Sequence, residues 1–310
     1  MEVIRDIADF PKLSFPVVTS GTFDGVHVGH QKILQRVKER ARQSNGQSVV
    51  ITYWPHPRLV LFPEDNDLKL LSTIEERIEQ LRSFGIDYLL IIPFTKDFSR
   101  LSSRSFIADV LVKALHTKVL VIGYDHRFGK NREGSFEHLK ARSAHYGFEV
   151  EEIPRQDVDD IGVSSTKIRR AIESGDIPTA NRYLGHTYSL TSTVVEGNKL
   201  GRTIGYPTAN LALPAPHKLI PANGVYAVWV KLENERLPGM MNIGTRPTVS
   251  GSHLTLEVHI LNFDRDIYGH TLTVEFVEML RQEKKFEGLE YLKAQLAKDR
   301  EATQLALHLG

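Results

Sequence analysis

Gly21-Thr22-Phe23-Asp24-Gly25-Val26-His27-Val28-Gly29-His30 directly follows the apolar run 15–18 and leads into a segment with apolar residues at Val28, Ile33, Leu34 and Val37. Val17 and Val18 read as the end of a buried strand, the glycines permit a tight turn, and the spacing beyond the turn predicts a helix over 27–42. A helix starting there aims unpaired N–H groups and the positive end of its dipole into the turn, which suits phosphate oxygens. His27 and His30 are three apart and share the first-turn face, so two imidazoles stand where they can donate hydrogen bonds to charge developing on a triphosphate. Paired histidines also occur as plain surface residues and as metal ligands. The turn is neither a P-loop, which ends in Gly-Lys-Ser/Thr, nor a dinucleotide fingerprint, which needs a third glycine where His30 stands.

Outward from this turn, strand-like runs at 15–18, 49–53, 88–92 and 119–122 alternate with helical stretches at 27–42, 74–84 and 106–115. Such a βαβ succession predicts a doubly wound α/β domain with a parallel sheet and ligands at the carboxyl ends of its strands, where Gly21 and Gly123 lie. A further helix is expected over 164–174, capped by Ser164 or Ser165. After Leu184-Gly185 the pattern changes. Runs at 190–195, 225–230, 254–260 and 272–276 are divided by Gly, Pro and Asn clusters, which predicts a small antiparallel β-barrel. Helical spacing at Leu292, Leu296 and Leu305 adds a C-terminal helix. Two domains, 1–185 and 186–310, also agree with a length of 310 residues, which exceeds one usual core.

With 39 basic and 38 acidic residues the chain has no global field that would favour nucleic acid or a membrane surface, so any anion site must be built locally. There is no cysteine, which excludes disulfides, zinc–thiolate clusters and thiol nucleophiles, and is compatible with a reducing cytoplasm. The N-terminal residues lack the pattern of a signal peptide, and the longest apolar run, 89–94, is too short to span a bilayer. A cytoplasmic protein with small-molecule partners and at most weak self-association is the expectation.

Two more stretches of the first domain suit anions. Gly123-Tyr124-Asp125-His126-Arg127-Phe128-Gly129-Lys130-Asn131-Arg132-Glu133-Gly134 packs Arg127, Lys130 and Arg132 among glycines that let a backbone approach a ligand. A solvated basic turn has the same composition. Ser164-Ser165-Thr166-Lys167-Ile168-Arg169 puts hydroxyls and cations at a helix start. In the barrel, Gly197-Asn198-Lys199-Leu200-Gly201-Arg202-Thr203-Ile204-Gly205-Tyr206-Pro207-Thr208-Ala209-Asn210 reads as a mobile glycine flap followed by extended chain. Thr208 and Asn210 then point to the same side and offer hard oxygen ligands for Mg²⁺. A β-turn whose Thr and Asn satisfy the backbone is the ordinary alternative. Residues 241–248 read as another turn, and Glu257 shares a strand face with Thr255 and His259.

Gly-Thr-Phe-Asp-Gly-x-His-x-Gly-His resembles the HxGH signature of the nucleotidylyltransferase superfamily. Together with the 123–134 loop, the Ser-Ser-Thr-x-Ile-Arg start, Gly-Arg-x-x-Gly-x-Pro-Thr-Ala-Asn, Asn-Ile-Gly-x-Arg-Pro-Thr and Glu-Val-His-Ile, it makes nearly the whole chain resemble the bacterial bifunctional riboflavin kinase/FAD synthetases. One departure is His126, where that family more often has Phe. The resemblance implies that His27 and His30 stabilise the transferring phosphate, that Gly21, Thr22, Phe23, Ser165, Thr166 and Arg169 contact ATP, and that Asp125, Arg127 and Arg132 meet FMN. In the barrel it implies Glu257 as general base, Thr208 and Asn210 as Mg²⁺ ligands, and ATP or flavin contacts at Gly197, Lys199, Gly201, Gly205, Pro207, Asn242 and Arg281. The implied chemistry is phosphorylation of riboflavin to FMN and adenylylation of FMN to FAD, with ATP as co-substrate. A chain retaining one activity, or a barrel that only binds flavin as a regulatory module, are the rival expectations.

Overall fold

The computed structural model describes residues 1–64, 67–124, 127–130, 133–134, 136–153, 162–197, 200–248 and 251–309. They form two compact units, Met1–Ser165 and Thr166–Gly310.

The first unit is built on strands β1 (Glu2–Ile4), β2 (Pro16–Ser20), β3 (Gln47–Trp54), β4 (Tyr88–Pro93), β5 (Val119–Gly123) and β6 (Glu149–Ile153), arranged in the order β1-β4-β3-β2-β5-β6. Every pairing is parallel. Strands covered on both faces must be apolar throughout, and Val17, Val18, Val49, Val50 and Ile51 are accordingly without solvent exposure. Helix α1 (Val28–Gln43) lays Val37 and Ala41 on Val17, Val119 and Val121. Helix α2 (Ile74–Phe84) starts at a reciprocal Thr73–Glu76 capping box and stops at Gly85, whose φ of 81° favours glycine. The stretch expected as an α-helix over 106–115 is instead a π-helix, Phe106–Ala114. This wider winding buries Phe106, Ile107, Val110 and Leu111 together. Helix α3 (Phe136–Tyr146) precedes β6.

From β2 the chain steps to β3 and β4 on one side, then returns to β5 and β6 on the other. The order reverses between β2 and β5, and in open parallel sheets ligands bind at that point, outside the carboxyl ends of the strands. The turn after β2 and the loop after β5 both emerge there.

Helices α4 (Ser165–Glu173) and α5 (Ile177–Leu184) precede a closed barrel of β7 (Ser189–Val195), β8 (Ala209–Leu211), β9 (Gly224–Leu232), β10 (Glu235–Thr248), β11 (Gly251–Ile260) and β12 (Thr271–Gln282), ordered β10-β11-β8-β7-β12-β9. Helix α6 (Leu289–Ala306) follows. Packing divides the chain between Ser165 and Thr166, earlier than the sequence boundary at 185. The reason is that α4 and α5 adhere to the barrel: Ile172 O accepts the Ala222 N–H at 3.3 Å, and Asn181 Nδ2 donates to Phe276 O at 2.9 Å. Residues 241–248, expected as a turn, belong to β10 and pair with β11 along their whole length. Gly244 and Pro247 are tolerated because β9 pairs β10 only as far as Ile243, so the missing proline N–H breaks no ladder on that side.

Candidate active sites

In the first unit the turn after β2 is held from below. Gly21 N–H donates to Ile51 O at 3.0 Å, and Thr22 O accepts from Thr52 Oγ1 at 3.2 Å. Phe23, Gly25 and Val26 all adopt positive φ, at 48°, 76° and 40°. The buried Asp24 holds that conformation in place, because its carboxylate accepts the Leu71 and Ser72 N–H groups, both at 3.1 Å, and the Ser72 hydroxyl at 3.3 Å. Behind it lies Arg77, with 0% of its side chain exposed, 4.0 Å from Asp24 Oδ1 and donating to Thr52 Oγ1 at 3.2 Å.

His27 caps α1, its Nδ1 accepting the His30 N–H at 3.4 Å. The two imidazoles stack with centroids 3.7 Å apart, and Phe23 backs His30 at 5.1 Å. His30 Nδ1 is buried and has no hydrogen-bond partner among the described residues. Burial, then the neighbouring His27 and Arg77, hold the His30 imidazole well below its ordinary pKa, so the ring is neutral near pH 7. A neutral, pre-placed N–H donor beside a helix N-terminus suits an oxyanion better than it suits proton donation.

Of the loop after β5, Arg127 and Lys130 are exposed, while Phe128 is buried against Phe106 and bridges Gly134. Asp125, His126 and Arg132 lie outside the described residues, as does Lys199 of the barrel flap. Ser165, Thr166 and Arg169 open α4, with Ile168 buried beneath them.

The barrel brings the second set together. Glu257 on β11 is directly opposite Asn242 of β10 and Asn210 of β8. Its Oε2 accepts from Thr208 Oγ1 at 3.5 Å, and its Oε1 is ion-paired with Arg246 Nη2. Thr208, Asn242, Glu257, Gly201 and Arg281 line one cavity of about 340 Å³, whose apolar walls include Phe286, Leu292 and Leu296. Gly197 lies against Asn210, where a Cβ would overlap the amide. Gly205 takes a φ of 83°, and Pro207 O accepts a hydrogen bond from His259 Nδ1 at 2.7 Å. Sequence reasoning missed Arg246, His259 and Tyr206 as wall residues. His259 had a legible signal in its shared face with Glu257. Among the described residues no three His, Cys, Asp or Glu converge as a metal cluster. The Thr208 hydroxyl is on the cavity wall, whereas Asn210, opposite Glu257 in register, packs its amide against Gly197 and is not among the lining residues; a cation would rest on the oxygens of these two side chains.

A family model described as FAD synthetase matches residues 11–167, and one described as riboflavin kinase matches 184–307. The bifunctional riboflavin kinase/FMN adenylyltransferase of Escherichia coli strain K12 is 41% identical over 284 residues, covering 91% of this chain and 90% of that protein. The Listeria monocytogenes protein of the same description is 40% identical over 289 residues, covering 93% and 91%. A crystal structure described as a macrolide-efflux protein from Streptococcus pneumoniae is 34% identical, covers 98% of both chains and has a TM-score of 0.86. No helix among the described residues is long and apolar enough to cross a membrane.

Proposed function

The chain belongs to the family of bifunctional riboflavin kinase/FMN adenylyltransferases and serves flavin cofactor synthesis through both activities, and from that premise we propose how its residues divide the work. The barrel phosphorylates riboflavin. Glu257 takes the proton of the ribityl 5′-hydroxyl as that oxygen attacks the γ-phosphorus of ATP and the bond to ADP breaks. Gly197, Lys199, Gly201, Gly205, Pro207, Asn242 and Arg281 shape the surrounding ATP and flavin pocket. Thr208 and Asn210 would hold Mg²⁺, which when bound offsets the charge of the triphosphate. Each Glu257 oxygen makes one of these contacts, Oε1 with Arg246 and Oε2 with Thr208, and each keeps a second lone pair with which to accept the riboflavin hydroxyl.

The nucleotide-binding unit adenylylates FMN. A phosphate oxygen of FMN attacks the α-phosphorus of ATP and pyrophosphate departs, while His30, oriented by His27, donates to the charge that develops. Gly21, Thr22 and Phe23 position the nucleotide, Ser165, Thr166 and Arg169 contact its phosphates, and Asp125, Arg127 and Arg132 meet FMN. We assign this activity to 1–185 and the kinase to 186–310. The two matched segments leave 168–183 between them, so the functional border and the packing border at Ser165 need not coincide. The cytoplasm, with its ATP, is the compartment this reading requires.

The observation that carries the proposal is the place of Glu257, which accepts from the Thr208 hydroxyl and stands opposite Asn242 and Asn210 in the register of β10, β11 and β8. Incubation with riboflavin, ATP and Mg²⁺, followed by chromatography of the products, tests it. FMN and FAD together support the assignment, whereas FMN alone would support a single surviving activity.

A further inference from the structure

Arg77 of α2 is a cation without solvent contact, set beneath the turn that leads to His27 and His30. Its Nη1 donates to Thr52 Oγ1 at 3.2 Å and to Tyr53 O at 3.5 Å, and its guanidinium lies 5.8 Å from the Trp54 ring centroid. Nη2 stands 4.0 Å from Asp24 Oδ1, yet neither it nor Nε has a hydrogen-bond partner among the described residues. A buried cation so sparsely bonded is costly, and apolar side chains of the same volume often match or exceed the stability of a buried ion pair. Packing alone does not account for it.

Two chains of hydrogen bonds lead from this cation to the turn. On one side Thr52, which accepts from Arg77, donates to Thr22 O at 3.2 Å. On the other stands Asp24, whose carboxylate meets three donors, the Leu71 N–H, the Ser72 N–H and the Ser72 hydroxyl. The same Ser72 hydroxyl oxygen accepts the Gly25 N–H at 3.1 Å. An ionised carboxylate only accepts, so it suits three donors, but once buried it needs a counter-charge, and Arg77 is the cation beside it. Between the two anchors Phe23 and Val26 hold positive φ, a backbone that a bulky or β-branched residue keeps only when its surroundings impose it. We infer that Arg77 is a positioning residue for adenylyl transfer, its buried charge pinning the turn at Thr22 and at Asp24 so that His30 is delivered to the transferring phosphate. Helix α2 thereby belongs to the nucleotide site rather than serving only to cover the sheet. The inference rests on the adenylyltransferase reading of this unit.

FAD formation by the full chain from supplied FMN, with ATP varied, tests it, and FMN formation from riboflavin is the control for an intact barrel. Arg77→Met should lower kcat roughly 10²-fold, the scale for a slight misplacement transmitted from outside the site, and change the KM for ATP less than about five-fold. Arg77→Lys keeps a cation and a donor and should stay within about five-fold of the unaltered kcat. A loss as deep as that of Arg77→Met would deny the charge its role. Asp24→Asn combined with Arg77→Met leaves no charge of the pair buried alone and keeps the test open if the single variant does not fold. Its kcat should stay low, because an amide cannot accept from all three donors. Recovery of the full rate would reduce the pair to a structural one and overturn the inference. An unaltered kcat in Arg77→Met, or a change confined to the KM for ATP, overturns it as well. An unaltered chain that made no FAD from FMN would instead defeat the adenylyltransferase reading itself.

Discussion

The imidazoles of His27 and His30 lie face to face, with ring centroids 3.7 Å apart and planes 15° from parallel, while His30 Nδ1 is shut away from solvent. Two rings this close cannot comfortably both be charged, and Arg77 adds a buried positive charge nearby. Burial and these neighbours together keep the His30 ring neutral near pH 7.

Replacing His30 by Ala should lower FAD formation from supplied FMN on the order of 10²- to 10³-fold, the scale for losing one oxyanion donor. FMN formation from riboflavin should persist. Equal loss of both activities, measured in parallel product assays, would argue against two separate sites.

The same ring makes stability depend on pH. His30 is held well below its ordinary value of 6.5, chiefly by burial, so the unfolded chain binds more protons there than the folded one. Its contribution is complete above about 6.5 and is lost as pH falls toward the lowered folded value. Melting temperatures measured between about pH 7 and pH 5 should fall less steeply for His30→Gln than for the unaltered chain. Parallel slopes would reject this account.

Asp24 accepts three hydrogen bonds from the Leu71-Ser72 segment and faces the fully buried Arg77. Asp24→Ala would strand that guanidinium without a counter-charge, at a cost of about 3–5 kcal/mol. Urea unfolding would show the midpoint displaced accordingly. An unchanged midpoint would mean that Arg77 finds other compensation.

Glu257→Gln keeps the shape of the barrel site but removes the proposed proton acceptor. FMN formation should drop about 10²- to 10⁴-fold, while FAD formation from supplied FMN continues. Riboflavin turnover at an unchanged rate would transfer the base role to another residue.

Gly197 leaves no room for a methyl group beside the Asn210 amide. Gly197→Ala should push that amide aside and raise the Mg²⁺ concentration needed for half-maximal FMN formation. A metal titration of the variant against the unaltered chain reads this directly. Coincident curves would remove Asn210 from the proposed cation site.

The parallel sheet was legible because buried strands need unbroken apolar runs, and helix α2 because Thr73, Glu76 and Gly85 mark its ends. β1 escaped notice because three edge residues carry too little pattern. The 241–248 segment was misread as a turn because Gly244 and Pro247 are turn formers in isolation, and only pairing with β11 keeps them extended. Helices α4 and α5 fall within the 1–185 domain read from the sequence yet pack on the barrel, through contacts such as Asn181 to Phe276 that no local pattern announces.

By itself the amino-acid sequence determined the strand, glycine turn and helix from Val17 through His30, the alternation that makes a doubly wound sheet, and the Thr208–Asn210 spacing, because each depends on neighbours along the chain. Only the tertiary structure decided that Glu257 faces Asn242 and Asn210, that Arg246 pairs with it, and that Asp299 grips Arg281. Those relationships arise from strand register and helix docking between distant segments, which are set by how the whole core packs rather than by any local preference.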